Sequence, residues 1–87
     1  IAPAGLYVEP LVHGQVRVTW KPVEGALGYI VEMKAANDDS YDPVTQISQT
    51  GARVTSLESG KTYFVRVIAV SGERKGPASD AKSIVVP

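Results

Sequence analysis

The stretch that decides the fold is LESGKTYFVRVIAV, residues 57–70. Gly60 falls where a turn is needed, because glycine adopts a positive φ without steric cost. After the turn the side chains alternate between two sets, and a period of two places the sets on opposite faces of one strand. The first set is Tyr63, Val65, Val67 and Ala69, and the second is Phe64, Arg66, Ile68 and Val70. The stretch therefore predicts a turn followed by a long, two-faced strand.

The composition is that of an ordinary globular chain. It has 87 residues, enough for one domain, and we expect residues 1–87 to form a single domain. Nine Lys and Arg residues balance nine Asp and Glu residues, which argues against a nucleic-acid or anionic-membrane partner. Without cysteine, no disulfide framework or thiolate chemistry is expected. No run of about 18 apolar residues is present, so no membrane insertion is expected. Because the chain starts at Ile1 without an initiator Met, we expect a piece of a longer protein.

The rest of the chain also predicts strands. Residues 15–20 alternate with Val16, Val18 and Trp20 on one face. Residues 29–34 form a similar pattern, and no long segment carries the apolar period of a helix. Shorter strands are expected around Leu6 and Val8, over 44–48, over 52–57 and within 78–86, with residues 72–77 as a tight loop. These seven strands predict an all-β fold, an antiparallel sandwich of two sheets.

A sandwich requires apolar side chains that point inward from both sheets. From the first sheet we expect Leu6, Val8, Val16, Val18, Trp20, Val54 and Leu57. From the second we expect Tyr29, Val31, Met33, Tyr63, Val65, Val67 and Ala69. Trp20 is the only tryptophan and the largest expected contributor to this core.

Four groups of residues occur at spacings that are found together in one family. They are Trp20 with Pro22; residues 28–31, GYIV; Leu57-x-x-Gly60-x-x-Tyr63 with Val65, Val67 and Ala69; and Gly76-Pro77-x-Ser79. With these motifs the chain resembles a fibronectin type III domain over nearly its whole length. The resemblance implies a seven-stranded, immunoglobulin-like antiparallel β-sandwich. It also implies a tyrosine corner, in which Tyr63 is largely buried and its hydroxyl bonds to backbone between Leu57 and Gly60.

Neither a catalytic nor a metal site is predicted. His13 is the only histidine, and a triad or a histidine-based metal site needs more partners than one. Asp38, Asp39 and Asp42 could in principle offer oxygen ligands to Ca²⁺, but their spacing lacks the regular ligand pattern of a calcium loop. We therefore expect a solvated turn at these aspartates, no cofactor, and no enzyme.

Two places are candidates for contact with a partner. Ile30, Phe64 and Ile68 should share the face opposite the core and could form an exposed apolar patch. Alternatively, loop residues, Val44 or Ile47, or the stems of Arg66 and Lys34, cover them. The second candidate is Arg74 and Lys75 in the loop before the last strand, where the resemblance implies partner contacts. The loop lacks an Arg-Gly-Asp triplet, so integrin binding is not implied.

These observations favour a non-catalytic module that spaces or docks other domains of a longer protein, with another protein as a possible further partner. A carbohydrate-binding accessory domain of a secreted enzyme is the alternative, and it would need a platform of exposed aromatic side chains. Only Tyr7, Tyr41 and Phe64 are candidates for such a platform. The resemblance implies an extracellular or secreted setting, and we expect the isolated domain to be monomeric.

Overall fold

A computed structural model describes residues 2–87, and all of its regular elements are β-strands. Eight strands follow one another along the chain. They are β1 (Tyr7–Pro10), β2 (Val16–Thr19), β3 (Gly28–Ala35), β4 (Asp42–Ile47), β5 (Gly51–Val54), β6 (Thr62–Ser71), β7 (Arg74–Ala78) and β8 (Lys82–Val85). The decisive stretch supplies β6, which is the longest strand.

The strands form two antiparallel sheets that face each other. The smaller sheet has the order β1-β2-β5, and in the larger sheet β4-β3-β6-β7 are neighbours while β8 also pairs with β6. The predicted all-β antiparallel sandwich is confirmed. Because β1, β2 and β5 form the smaller sheet and the other strands the larger, the chain crosses between the sheets three times, after β2, after β4 and after β5.

The core lies between the sheets, and alternation along the strands places its residues there. Val16 and Val18 of β2 and Val65 and Val67 of β6 are completely buried. Trp20 and Tyr29, 5% and 4% exposed, meet edge to face with ring centroids 5.4 Å apart. All fourteen residues expected in the core belong to this cluster or pack against it, with Val8, Leu57 and Tyr63 half-buried. The cluster also contains Val86, which follows β8 and was not among the residues expected in the core.

The number of strands differs from the prediction because residues 72–77 are not simply a loop. Gly72 has a φ of 64°, so a two-residue turn over Gly72 and Glu73 joins β6 to β7 as a hairpin with Ser71 opposite Arg74. The chain then breaks its pairing after Ala78 and resumes it at Lys82. The predicted final strand within 78–86 corresponds to β8, whereas β7 is an additional strand formed mainly by residues predicted as loop, and the two pair with different parts of β6.

Candidate interaction surfaces

The predicted exposed patch of Ile30, Phe64 and Ile68 is wrong in its exposure. Ile30 and Ile68 lie opposite each other on β3 and β6, outside the main core, yet they are only 7% and 8% exposed. They pack with Val70 and Ala78 in a second small cluster. β3 and β6 are central strands, so neighbours on both sides cover side chains on this outer face. The alternation of side chains along the strands placed these residues on the correct face, but alternation alone does not determine how exposed they are.

Phe64 lies further along the same outer face and is half-buried under a layer of charged and aromatic groups. The Arg66 Nε donates to Glu32 Oε1 at 2.7 Å, and the Arg66 guanidinium lies 3.9 Å from the centroid of the Tyr41 ring. The Lys34 ammonium lies 5.3 Å from the Phe64 centroid and 5.8 Å from the Tyr41 centroid, and it donates to the Asp38 carbonyl at 3.0 Å. These contacts place the Arg66 and Lys34 side chains over the aromatic rings.

The three aromatic candidates for a carbohydrate platform do not come together. Tyr7 is 61% exposed and lies on the smaller sheet, opposite Thr19. Tyr41 and Phe64 lie on the outer face of the larger sheet, with cations already stacked against them. A flat sugar-binding surface needs exposed rings on one face, and this arrangement does not provide it.

Arg74 and Lys75 are exposed, and they lie in β7 rather than in a loop. With Glu24 and Gly76 they help to line a cleft of about 310 Å³ between the 20–28 connection and the β6–β7 hairpin. The cleft mixes both signs of charge with small residues, so its chemistry points to no particular ligand.

His13 and the predicted acidic cluster lie on the surface. His13, Asp38, Asp39 and Asp42 are all exposed, and across residues 2–87 no group of three or more His, Cys, Asp or Glu side chains is arranged to hold a metal ion. Nor does any helix in this part of the chain have the length and apolar character needed to cross a lipid bilayer.

Two tyrosine hydroxyls accept hydrogen bonds from loop backbone. Tyr63 accepts from the Glu58 amide at 3.3 Å, within the segment expected for the tyrosine corner, although Tyr63 is half-buried rather than largely buried. Tyr29 accepts from the Val23 amide at 2.9 Å in a more buried setting. The sequence did not predict this second bond. The alternation of residues 29–34 indicates only that Tyr29 points inward, and the position of the 20–28 connection depends on the fold.

The two ends of the chain leave opposite ends of the sandwich. The Ala4 carbonyl accepts from the Lys21 amide, just after β2, at 2.9 Å. The Pro87 carbonyl accepts from the Gly14 amide, just before β2, at 3.0 Å and from the Ser59 hydroxyl at 2.7 Å. The points where the two chain ends leave the sandwich, here called the chain exits, therefore lie about as far apart as Gly14 and Lys21. At the rise per residue of a strand, this distance is roughly 23 Å.

Comparison with known proteins gives a consistent result. Residues 2–85 match the family model described as "Fibronectin type III domain". Mouse myosin-binding protein H is 32% identical in an alignment 83 positions long, and the match covers 87% of this chain and 17% of that protein. Human tenascin-N is 25% identical over 83 residues, which cover 94% of this chain and 6% of that protein. The chain thus spans less than a fifth of the length of either curated relative.

Among solved structures, the fn3 domain of human contactin 1 superimposes with a TM-score of 0.89 at 25% identity. The match covers 99% of this chain and 76% of that one.

Proposed function

The chain belongs to the fibronectin type III family, and from this premise we propose that it is a non-catalytic module that spaces and docks the neighbouring domains of a longer protein. Modules of this family are in general non-catalytic and occur within larger proteins. The proposed partners are other domains of the parent chain, together with another protein at an exposed surface. Nucleic acid is not proposed, because the charges balance.

The observation that carries the spacer role is the position of the two chain exits. A module whose chain enters at one end and leaves at the other adds its length to a tandem array. The body is 37 Å along its longest axis and 19 Å along its shortest. Backbone hydrogen bonds at Ala4 and Pro87 hold both exits against β2, so they support a defined separation rather than two loose tails.

Both ends also present exposed aliphatic side chains that a neighbouring domain could cover. Leu27, 71% exposed, lies in the same 20–28 connection as Lys21. At the other end, Val12, 67% exposed, lies two residues before Gly14, and Val85, 59% exposed, lies two residues before Pro87. Single exposed apolar residues are common, so their position at the exits, rather than their exposure, is what supports the proposal.

The spacer role can be tested by measuring the distance between the exits. The chain has no cysteine, so cysteines introduced at Ala2 and Pro87 would be its only thiols for spin labels. Pulsed dipolar spectroscopy should give one narrow distribution centred roughly between 25 and 40 Å, allowing for the label arms. A broad or short distribution under native conditions would contradict a rigid spacer. A matched sample in urea supplies the broad reference.

An extracellular setting is part of the proposal and is supported by the resemblance that the sequence carries. An antibody against this module should stain intact cells that express the parent protein. Staining that appears only after permeabilisation would place the module inside the cell and overturn this part. The isolated module should sediment as a monomer.

A further inference from the structure

The outer face of the smaller sheet carries two arginines side by side. Arg17 of β2 lies directly opposite Arg53 of β5, and both side chains are exposed. Arg17 makes a long contact of 3.6 Å with Glu9, whereas Arg53 has no ion-pair partner within residues 2–87. Like charges directly opposite each other in a sheet repel. This pair therefore leaves an excess of positive charge at the edge strand.

The register shows where the backbone of Arg53 points. The Trp20 amide donates to the Thr50 carbonyl at 3.1 Å, so these two residues form a hydrogen-bonded pair. Hydrogen-bonded and non-hydrogen-bonded pairs alternate along an antiparallel ladder. Ala52 with Val18 is then a bonded pair, and Arg53 with Arg17 is a non-bonded pair. The backbone N–H and C=O of Arg53 consequently point away from β2, toward the open edge of the sheet.

A groove of about 430 Å³ runs beside that edge. It is lined by Val44 and Thr45 of β4 and by residues 53–57, including Leu57. Val44 is 42% exposed, because a bulge at Val31–Glu32 leaves it as the extra residue of β4. The groove thus offers apolar contacts on the core side of β5, while Arg53 offers charge on the outer side.

The neighbouring edge strand is closed to the same kind of pairing. β4 carries Pro43, which cannot donate a backbone hydrogen bond, next to its bulge. β5 has neither a proline nor a bulge. Of these two edges, β5 is therefore the one able to accept a further strand.

We propose that the free edge of β5 binds an extended acidic segment of another protein by strand addition, with Arg53 contributing both its backbone groups and its guanidinium. Successive side chains of the added strand would alternate between faces. Those on the outer face would be carboxylates beside Arg53, with Arg17 one strand further in, and those on the inner face would be apolar and lie against Val44. This goes beyond the spacer role, which depends on the chain exits and not on this edge.

The charge pattern decides between an acidic partner and a second copy of the chain. A second copy pairing antiparallel in the register centred on Arg53 would place Arg53 opposite Arg53 and add positive charge to the same row. An acidic strand instead relieves the repulsion between Arg17 and Arg53. Electrostatic complementarity of this kind selects one partner over another.

The test uses two short capped peptides, one of alternating valine and glutamate and one of alternating valine and lysine. Added to the isotope-labelled protein, the valine–glutamate peptide should shift the amide NMR signals of Gly51, Arg53 and Val44 and slow hydrogen exchange at the Arg53 amide. The valine–lysine peptide should bind more weakly. Higher salt should weaken binding of the valine–glutamate peptide, because exposed charges are screened.

Charge reversal supplies the decisive comparison. Arg53→Glu should lower the affinity for the valine–glutamate peptide about tenfold or more, and the valine–lysine peptide should then bind more tightly than the valine–glutamate peptide. Lys82→Glu is the matched control, because Lys82 is an exposed cation on β8 without an ion pair inside residues 2–87, and its variant should bind like the parent. Val44→Asp, which leaves Arg53 unchanged, should also lower the affinity for the valine–glutamate peptide.

Three results would overturn the proposal. The first is no binding of either peptide at about 1 mM, the range of weak encounters. The second is binding that Arg53→Glu leaves unchanged, and the third is signal shifts confined to the cleft at the β6–β7 hairpin. Each variant is checked first by its unfolding midpoint in urea, and none of these outcomes affects the distance between the chain exits.

Discussion

At the residue scale, two tyrosine hydroxyls hold loop backbone with unequal strength. The Tyr29 bond to Val23 is short and partly buried, whereas the Tyr63 bond to Glu58 is long and exposed. A hydrogen bond near water is easily replaced by one to water, so its loss costs less than the loss of a buried bond. The recognisable motif at Tyr63 therefore carries the weaker of the two contacts.

We expect Tyr29→Phe to lower the free energy of unfolding by about 1–2 kcal/mol, because it leaves the Val23 amide without its partner. Tyr63→Phe should cost about 0.5 kcal/mol, since water can reach the Glu58 amide. Urea unfolding of the two single variants measures both values. The reverse order, with Tyr63→Phe the more harmful, would mean that Tyr63 is the main anchor.

At the element scale, Ser79 lies between β7 and β8 and bonds to β6, the strand with which both of them pair. Its amide donates to the Val67 carbonyl at 2.8 Å, and its hydroxyl accepts from the Val67 amide at 2.9 Å. The side chain thus takes the place of a backbone carbonyl in the ladder beside β6. This explains why β7 and β8 can separate without leaving a buried group of β6 unpaired.

Ser79→Ala should lower the free energy of unfolding by about 1–3 kcal/mol, because the Val67 amide is buried and would lose its acceptor. Ser83→Ala is the matched control, since Ser83 is exposed on β8, and it should stay within about 0.5 kcal/mol of the parent. Amide hydrogen exchange at Val67 should become faster in the first variant only. An unchanged exchange rate would show that another group, or water, replaces the hydroxyl.

At the scale of the whole molecule, Gly14 ties three distant segments together at one end of the sandwich. Its amide donates to the Pro87 carbonyl, and its carbonyl accepts from the Leu57 amide at 3.0 Å. Its φ is 73°, and a Cβ placed there would lie 2.9 Å from the Leu57 carbonyl oxygen. Both the conformation and the space therefore require glycine.

Gly14→Ala should destabilise the protein by about 2–4 kcal/mol, through left-handed strain and displacement of the Leu57 backbone. Gly25→Ala is the control: Gly25 also has a left-handed backbone, with a φ of 83°, but a Cβ there meets nothing within 4 Å. It therefore measures the cost of the left-handed conformation without a steric clash. That control should cost about 1–2 kcal/mol. Equal unfolding midpoints for the two variants would show that the Gly14 contacts add nothing. Gly14→Ala should also broaden the distance distribution between the chain exits.

The sequence alone determined the family, the sandwich and the face of residues 63–70 in β6. A period of two is a property of the strand itself, so Val65 and Val67 were assigned inward and Ile68 outward without knowledge of any neighbour. The motif around Tyr63 was equally local, and the predicted resemblance to the fibronectin type III family is confirmed.

Only the tertiary structure decided what lies beside each face and each edge. Ile68 is buried because Ile30, Val70 and Ala78 come from other parts of the two central strands and from β7, which the sequence predicted as loop. The same holds for the Tyr29 hydrogen bond to Val23 and for the Ser79 hydrogen bonds to Val67, because strand order and register bring these residues together. Strand order also leaves the edge of β5 at Arg53 unpaired. Periodicity specifies the direction of a side chain, but exposure depends on which distant residues the fold places beside it.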